Sequence, residues 1–370
     1  MSGPLADLRV LDLSTVLAGP NCARYLADYG AQVIKVEHPD GDSLRRMAWR
    51  DPRDGEGLWF KIVNRNKSLI ALDLKDPADH AVVWSLLADA HVLVDNMRPG
   101  GLERLGLGPD VLHAHNPGLV ITRISGFGQD GPYANRAGFA TVAEAMSGFA
   151  ALNGEADGAP LPPPIALTDE VTGLAAAFAT MVALHSGVGQ VVDVNLLEAM
   201  LQMMGPLPAL ARLTGEQQPR LGAGLPYTVP RGTYRCADGR WVAVSSSSDT
   251  VAARVMDLLG LGDDPGLAGF DGRVARRDEV EAAMVAWCAQ RTAAEVIETM
   301  TTADAAVGPV LDMAEVVEDE HLMAREAIVE VDGVPMQAPV ARLSSSPGAV
   351  RHAGGTIDAD AERIRSTGWD

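Results

Sequence analysis

The residue best suited to covalent chemistry is Asp169, in the segment IALTDEVTGL (165–174). An apolar helix running to about Leu184 is predicted to begin here, and a helix dipole favours an ionised carboxylate in the first turn. An accessible, ionised carboxylate can attack an activated acyl group. The alternative interpretation is an N-cap, in which Asp169 accepts hydrogen bonds from unpaired backbone amides. The pattern alone leaves both roles open, and one residue can serve in both.

A second set of candidates lies in the segment NMRPGGLER (96–104), directly after a predicted strand. Open α/β sheets bind ligands beyond the carboxyl ends of their strands. Arg98 and Arg104 carry planar guanidinium groups that can fork onto phosphate oxygens in a way that lysine cannot. The alternative is an ordinary surface loop followed by the start of a helix.

Several familiar catalytic and cofactor patterns are missing from the sequence. The turn after the first predicted strand is STVLAGP (14–20), which lacks the glycine fingerprint of dinucleotide sites, so no nicotinamide or flavin site is expected there. The chain has no G-x-S-x-G or H-E-x-x-H motif. His113 and His115 have no acidic partner at ligand spacing, and we interpret them as residues of a helix end. We therefore predict no metal site and no tightly bound cofactor.

The elements that position these residues are predicted to form a Rossmann-like parallel sheet. Short apolar runs at 9–13, 32–36, 68–72, 91–94 and 118–122 are typical of buried parallel strands. Helical segments are predicted between them at 22–29, 76–90 and 109–115, and after them at 142–152, 170–184 and 196–204. Strands that alternate with helices in this way favour an α/β fold.

The chain is predicted to contain two domains. A large domain spans 1–205, a stretch rich in proline and glycine at 206–230 is interpreted as a linker, and a smaller α/β domain follows at 231–325. The smaller domain should open with a hairpin of strands 232–236 and 241–245, because Asp238-Gly239 is a turn signal. Helices are predicted at 249–259, 278–290 and 293–300. The tail from about 326 to 370 is expected to complete the large domain.

Composition narrows the range of partners and compartments. The chain has 370 residues, of which 47% are hydrophobic, and a formal net charge of -19 without any basic run, which argues against nucleic acid as a partner. No signal peptide and no apolar run of roughly 20 residues is recognised, so we expect a cytoplasmic protein without a membrane segment. Cys22, Cys236 and Cys288 form no CxxC pair, as suits a reducing compartment.

A series of motifs in chain order resembles one enzyme family. The motifs are PLxxLRVLDL (4–13), AGP (18–20), GAxVIKVE (30–37), NKxxIxLD (66–73), RPG (98–100), LGL (105–107), NPxLV (116–120), GFGQxGP (126–132), DxxTG (169–173) and GQxVDV (189–194). Together they resemble the class III coenzyme A transferases, a family that also contains the α-methylacyl-CoA racemases. The similarity extends over nearly the whole chain.

The resemblance implies a dimer of two interlocked, ring-like chains, each with a Rossmann-like large domain and a small domain. It also implies an acyl-CoA donor and a carboxylic acid acceptor as substrates. The aspartate matching Asp169 attacks the donor thioester and gives a mixed anhydride and CoA thiolate. The thiolate returns to form an aspartyl-CoA thioester, which the acceptor carboxylate then consumes. Each intermediate keeps the acyl group activated as long as water is excluded.

The same resemblance implies where CoA and the acyl group bind. The expected CoA contacts are Val16, Leu17, Ala18, His38, Leu72, Lys75, Asn96, Met97, Arg98, Arg104 and Leu105. Many relatives have an arginine at the position of His38. Phe139 and Ala140 are expected to line the acyl pocket, together with a glycine loop at Gly222 and Gly224.

Two other functions stay open on sequence grounds. Racemases of the family carry a Gly-His-Asp motif whose histidine is one proton-transfer base, and the matching stretch here is Gly138-Phe139-Ala140. Phenylalanine cannot carry a proton, so two-base chemistry would lack a partner. A non-catalytic protein that binds CoA thioesters is the second alternative, and an intact Asp169 argues against it.

Overall fold

The computed structural model describes residues 3–370 and has a mixed α/β fold. Its strands are β1 (Arg9–Asp12), β2 (Gln32–Glu37), β3 (Lys67–Ala71), β4 (Val92–Asp95), β5 (Val120–Ser125), β6 (Val191–Asn195), β7 (Arg231–Arg235), β8 (Trp241–Ser245), β9 (Ala306–Pro309), β10 (Ile328–Val331) and β11 (Val334–Gln337). Its α-helices are α1 (Ala18–Asp28), α2 (Leu58–Val63), α3 (Pro77–Asp89), α4 (Gly101–Arg104), α5 (Pro109–His115), α6 (Ala140–Met146), α7 (Phe149–Leu152), α8 (Leu167–Ser186), α9 (Leu196–Gln202), α10 (Leu207–Thr214), α11 (Asp249–Leu258), α12 (Phe270–Ala275), α13 (Arg277–Ala289), α14 (Ala293–Thr302), α15 (Met313–Glu318), α16 (Glu320–Ala324) and α17 (Ala361–Thr367). The chain divides into two compact units: the first comprises the chain up to Ser147, Pro163–Gly205 and Glu320–Asp370, and the second comprises Gly148–Pro162 and Pro206–Asp319.

The first unit is built on a six-stranded parallel sheet with the order β3-β2-β1-β4-β5-β6. Alternate side chains of a strand point to opposite faces, so Leu11 belongs to one buried cluster and its neighbour Val10 to the other. Burial of both faces explains why the strands are continuous apolar runs. The strand order reverses between β1 and β4, which is where sheets of this kind open a crevice for ligands.

The structure confirms the five strands predicted for this sheet, each displaced by no more than three residues at either end. It adds β6, whose residues alternate between exposed and partly buried along the edge of the sheet. The prediction of a single helix at 142–152 is wrong. The segment forms two helices, α6 and α7, because Gly148 adopts a left-handed conformation with φ 93° and interrupts the helix.

The second unit contains a three-stranded antiparallel sheet with the order β7-β8-β9. The predicted hairpin is confirmed: β7 and β8 pair antiparallel around the Asp238-Gly239 turn, where Gly239 has φ 81°. Helices α11, α13 and α14 confirm the three predicted helices and pack with the sheet around a core that includes Val242 and Met284. The stretch predicted as a linker is not extended throughout, because α10 lies within it.

The chain from residue 320 to the C-terminus belongs to the first unit. Strands β10 and β11 form a hairpin whose turn residues, Asp332 and Gly333, both have positive φ, a feature typical of tight hairpin turns. Helix α17 packs against β3. Trp369 joins the core of the first unit, and its indole N–H donates to the carbonyl of Leu86 at 3.0 Å.

Helix α8 corrects the expectation that no apolar segment is long enough to cross a membrane. It has 20 residues and a mean hydropathy of 1.3 over its best window, enough by length and composition alone. One face packs tightly against α1: a Cβ at Gly173 would lie 2.9 Å from the carbonyl oxygen of Ala18. Such packing is typical of a core helix of a folded domain, in which small residues let two helices approach closely.

Candidate active site

The loops that follow β1 and β4 are hydrogen-bonded to each other at the point where the strand order reverses. The Asn96 amide oxygen accepts the backbone N–H of Thr15 at 2.8 Å, and its amide nitrogen donates to the Thr15 carbonyl at 2.6 Å. The next residue, Val16, has φ 65°, which is rare for a β-branched side chain. A Cβ at Gly19 would overlap the Ser14 side chain, so the entry into α1 requires glycine.

The residues predicted to contact CoA all follow the carboxyl ends of parallel strands, which share one edge of the sheet. After β1 come Val16, Leu17 and Ala18; after β2, His38; after β3, Leu72 and Lys75; and after β4, Asn96, Met97, Arg98, Arg104 and Leu105. Leu17, Ala18 and Leu72 are buried. His38, Lys75, Arg98 and Arg104 are exposed.

Short helix α4 carries one of the two candidate phosphate-binding arginines. Arg123, buried on β5, donates to both carboxylate oxygens of Glu103 at 2.8 and 3.2 Å. Partial burial by itself would raise the pKa of Glu103. The hydrogen bonds and positive charge of Arg123 have the opposite and larger effect, so the pKa of Glu103 lies below its ordinary value. With Glu103 engaged by Arg123, no ion pair of residues 3–370 involves Arg98 or Arg104, and both guanidinium groups are available to an anionic ligand.

Asp169 lies in the first turn of α8, but it does not cap the helix. The N-cap residue is Ala166, so the N-cap interpretation is wrong. In the described part of the chain, the Asp169 carboxylate has neither a hydrogen-bond donor nor an ion-pair partner. Burial, followed by the nearby carboxylates of Glu144 and Glu170, raises the pKa of Asp169 to about 6. The result is a partly buried carboxylate with free lone pairs that is still ionised at neutral pH.

Glu144 on α6 is a site residue that the sequence analysis missed. It is almost fully buried, and its Oε1 accepts a hydrogen bond from the Thr168 hydroxyl at 2.8 Å. Thr168 is the immediate neighbour of Asp169, so this bond fixes a second carboxylate near the first. The signal available in the sequence is a single acidic residue within the apolar segment ATVAEAM (140–146).

The family to which this arrangement belongs follows from comparison with known proteins. The model of CoA-transferase family III matches residues 5–361. The chain is a member of this family. The resemblance recognised in the sequence is thereby confirmed, and the enzyme is a class III CoA-transferase.

Named relatives and a solved structure agree with this assignment. The chain is 39% identical to a succinyl-CoA–D-citramalate CoA-transferase of Chloroflexus aurantiacus, over 94% of this chain and 89% of the relative. It is 35% identical to the beta subunit of a succinyl-CoA–L-malate CoA-transferase of the same organism, over 98% and 93% of the two chains. A CAIB/BAIF family protein from Brucella suis has the same fold, with a TM-score of 0.88 and 29% identity over 100% of both chains.

The start of α6 bears on the choice between transferase and racemase within the family. Phe139 is the N-cap residue of α6 and its side chain is 70% exposed, while Ala140 is the first residue of the helix. Neither residue carries a proton-transfer group. Met146 on the same helix is also exposed, so these side chains do not belong to the core of the first unit.

The two glycines of the predicted active-site loop belong to the second unit. Gly222 has φ 57°, and its N–H donates to the carbonyl of Gly154 at 3.1 Å. Gly224 closes a turn by donating to Leu221 at 2.8 Å. The loop is therefore held against segment 148–162 of its own unit, and its catalytic role stays a prediction.

The histidine pair has structural partners. His113 Nε2 lies 3.0 Å from the carbonyl oxygen of Leu119, and the ring of His115 packs edge-on against Trp84 with centroids 5.0 Å apart. Over residues 3–370, no group of three or more His, Cys, Asp or Glu side chains is arranged to hold a metal ion.

Proposed function

We propose that this enzyme moves CoA between carboxylic acids through a covalent aspartyl-CoA thioester on Asp169. The observation that carries the proposal is the state of the Asp169 carboxylate, which is partly buried, ionised at neutral pH and free of hydrogen-bond partners among the described residues. A carboxylate that receives no hydrogen bonds keeps its lone pairs for an electrophile. Structural aspartates near helix starts are normally engaged in capping, and this one is not.

The proposed reaction consists of four balanced acyl transfers. The Asp169 carboxylate attacks the donor thioester, the C–S bond breaks, and CoA leaves as the thiolate. The thiolate attacks the aspartyl carbonyl of the mixed anhydride and releases the donor acid. The acceptor carboxylate then attacks the aspartyl thioester and again expels the thiolate. Finally, the thiolate attacks the acceptor's acyl carbon, which yields the new acyl-CoA and regenerates the Asp169 carboxylate.

The CoA moiety is proposed to lie along the crevice between the β1 and β4 loops. Arg98 and Arg104 would bind phosphate oxygens, because both are exposed cations that form no ion pair within residues 3–370, and guanidinium groups match phosphate geometry. The backbone of residues 16–18 and the buried Leu72 would border the rest of the cofactor. No tightly bound cofactor is part of the proposal, since CoA is itself a substrate.

The proposed substrates are succinyl-CoA as donor and a short dicarboxylic acid as acceptor. The two relatives cited above are named for succinyl-CoA together with citramalate or malate, which are hydroxylated dicarboxylic acids. We also propose that the enzyme acts in the cytoplasm, where acyl-CoA donors are available.

Intact-protein mass spectrometry tests the proposed intermediate. Wild type and Asp169→Asn are incubated with succinyl-CoA alone, and the mixture is trapped with hydroxylamine or borohydride. We expect a CoA-sized adduct, or its trapped derivative on Asp169, in wild type only. If no thioester of a broad panel gives an adduct, and if 2-methylacyl-CoA exchanges its α-proton in deuterated water, the enzyme is a racemase instead. Binding without either reaction would indicate a CoA-thioester binding protein.

The enzyme is further proposed to be a homodimer of interlocked chains. Leu174, Phe178 and Val182 on α8 are exposed on one face, and the first two border an apolar groove of about 620 Å³. Its lining also includes Tyr25 of α1, Tyr29 directly after this helix, and residues 338–341. An apolar surface of this kind is unfavourable in water, and a second copy of the chain would cover it.

A further inference from the structure

The backbone of Val16 adopts a conformation that its side chain disfavours. Its φ of 65° brings a β-branched residue into the left-handed region, where valine is a genuine outlier. Such conformations persist only where the surroundings enforce them. Val16 lies between β1 and α1, in the segment proposed to border CoA, so the groups that enforce its conformation also shape that surface.

Asp42 holds Val16 directly. The Val16 N–H lies 3.2 and 3.4 Å from the two carboxylate oxygens of Asp42 and donates to them. Asp42 is itself fixed, because its own N–H donates to Glu37 at 2.9 Å and its Oδ1 accepts the N–H of Leu44 at 3.0 Å. Its side chain is buried, so the carboxylate has little freedom to move away from Val16.

Lys35 connects Asp42 to the residue that precedes this turn. Its ammonium group is completely buried, donates to the carbonyl of Ser14 and lies 3.6 Å from Asp42 Oδ2. A buried ammonium without partners is costly, so Lys35 draws the Ser14 carbonyl and the Asp42 carboxylate together. Asn96 meanwhile holds both backbone groups of Thr15. Three consecutive residues, 14 to 16, are thus fixed by side chains of β2, of the loop after β2 and of the loop after β4.

We infer that Lys35 and Asp42 are positioning residues for CoA: they hold Val16 at positive φ so that residues 15–18 present the surface on which the cofactor lies. The inference rests on the proposed function, since it assumes that CoA binds at this loop. Neither residue touches CoA in this arrangement. Their effect is on the affinity for CoA, and the acyl-transfer steps on Asp169 should be little changed once the ligand is bound.

A double-substitution experiment separates this role from a general contribution to folding. Asp42→Ala removes the acceptor of the Val16 N–H, and Val16→Gly removes the cost of positive φ. Val16→Ala is the matched control, because alanine loses the γ-methyl groups but keeps the Cβ that makes the conformation unfavourable. The Kd of CoA is measured by calorimetry on the full chain for all six combinations at residues 16 and 42.

We expect Asp42→Ala to weaken CoA binding about tenfold in the Val16 and Val16→Ala backgrounds, and about twofold or less with Val16→Gly. The KM of acyl-CoA should rise in parallel while kcat changes little. Equal weakening in all three backgrounds, or none, would overturn the inference. If Asp42→Ala does not fold, Lys35→Met replaces it in the same cycle with the same expected pattern. Failure of wild type to bind CoA would instead refute the proposed function.

Discussion

The Asp169 carboxylate is partly buried, and no group within residues 3–370 donates a hydrogen bond to it or forms an ion pair with it. Burial and two neighbouring carboxylates raise its pKa to about 6, which strengthens it as a nucleophile while leaving it ionised at neutral pH. Glu144 is one of these carboxylates, and its Oε1 accepts a hydrogen bond from the hydroxyl of Thr168. The chemistry of Asp169 therefore depends on its electrostatic environment more than on direct contacts.

The pH dependence of transfer should report the influence of Glu144 on Asp169. Glu144→Gln keeps an oxygen that can accept the Thr168 hydroxyl but removes the negative charge. The pKa of Asp169 should then fall, so the acidic limb of the kcat/KM profile should move to lower pH by about half a unit to one unit. Glu170→Gln is the control with a smaller expected shift, because Arg24 lies 3.4 Å from Glu170 and already offsets its charge. An unmoved limb would mean that Glu144 does not tune the nucleophile.

The stability of the enzyme should also depend on Asp169. Its folded pKa of about 6 lies above the ordinary value of 3.8, so between these pH values the folded chain binds the proton more tightly. Ionisation then costs folding free energy, in full at pH values above about 7 and not at all at about pH 3 or below. Asp169→Asn should therefore be more stable than wild type at pH 7.5, by about 3 kcal/mol, with no advantage at about pH 3. Denaturant unfolding at both pH values measures this, and a less stable variant at pH 7.5 would contradict it.

Among single residues, the sequence predicted those whose role follows from their place in a predicted element. It did not predict those whose role depends on contacts with residues distant along the chain. Asp169 is recognisable from its place at the start of an apolar helix. Glu144, Lys35 and Asp42 are not, because their partners are 24, 21 and 26 residues away along the chain. Lys35 in particular lies between the apolar residues Ile34 and Val36 of β2, where its burial follows only from the fold.

At the scale of elements, apolar runs located the strands of the sheet because strands buried on both faces have a continuous pattern. Strand β6 escaped detection because it lies at the sheet edge and alternates. Helix α4 has only four residues, too few for any periodicity to appear, and its geometry depends on the left-handed Gly100 that precedes it and on the fork between Arg123 and Glu103.

Helix α4 and the loop before it should act as one anion-binding element. Arg104→Ala and Arg98→Ala should each raise the KM of acyl-CoA about tenfold with little change in kcat, because they remove a charge-assisted contact to phosphate. Arg104→Lys should restore only part of the affinity, since lysine cannot form the fork. Arg325→Ala, an exposed arginine at the end of α16, is the matched control and should have no effect. If kcat falls and KM does not, these residues serve the transfer step instead.

At the scale of the whole molecule, hydrophobicity alone gave an incomplete account of α8. Its composition predicts a buried helix, and one face is indeed packed against α1 and the sheet. The other face carries Leu174, Phe178 and Val182, which are exposed in a single chain, with Phe178 70% accessible. No periodicity in the sequence separates a face buried within the chain from a face that another chain would bury.

The proposed dimer makes a prediction about topology as well as mass. Light scattering should give twice the chain mass of 38.9 kDa for wild type, and Phe178→Asp should prevent assembly, because a buried carboxylate without a partner is strongly disfavoured. Val285→Asp, at an apolar position of the second unit that is 55% exposed, is the control and should leave the mass unchanged.

Interlocked chains cannot separate without unfolding, so tagged and untagged dimers mixed under native conditions should not exchange subunits. Hybrid dimers should form only after both are unfolded and refolded together. Exchange in native buffer would show that the two chains dock without interlocking, and a monomeric wild type would remove the dimer from the proposal altogether. The two outcomes are distinct because mass reports association, whereas exchange reports whether each chain must pass through the other as it folds.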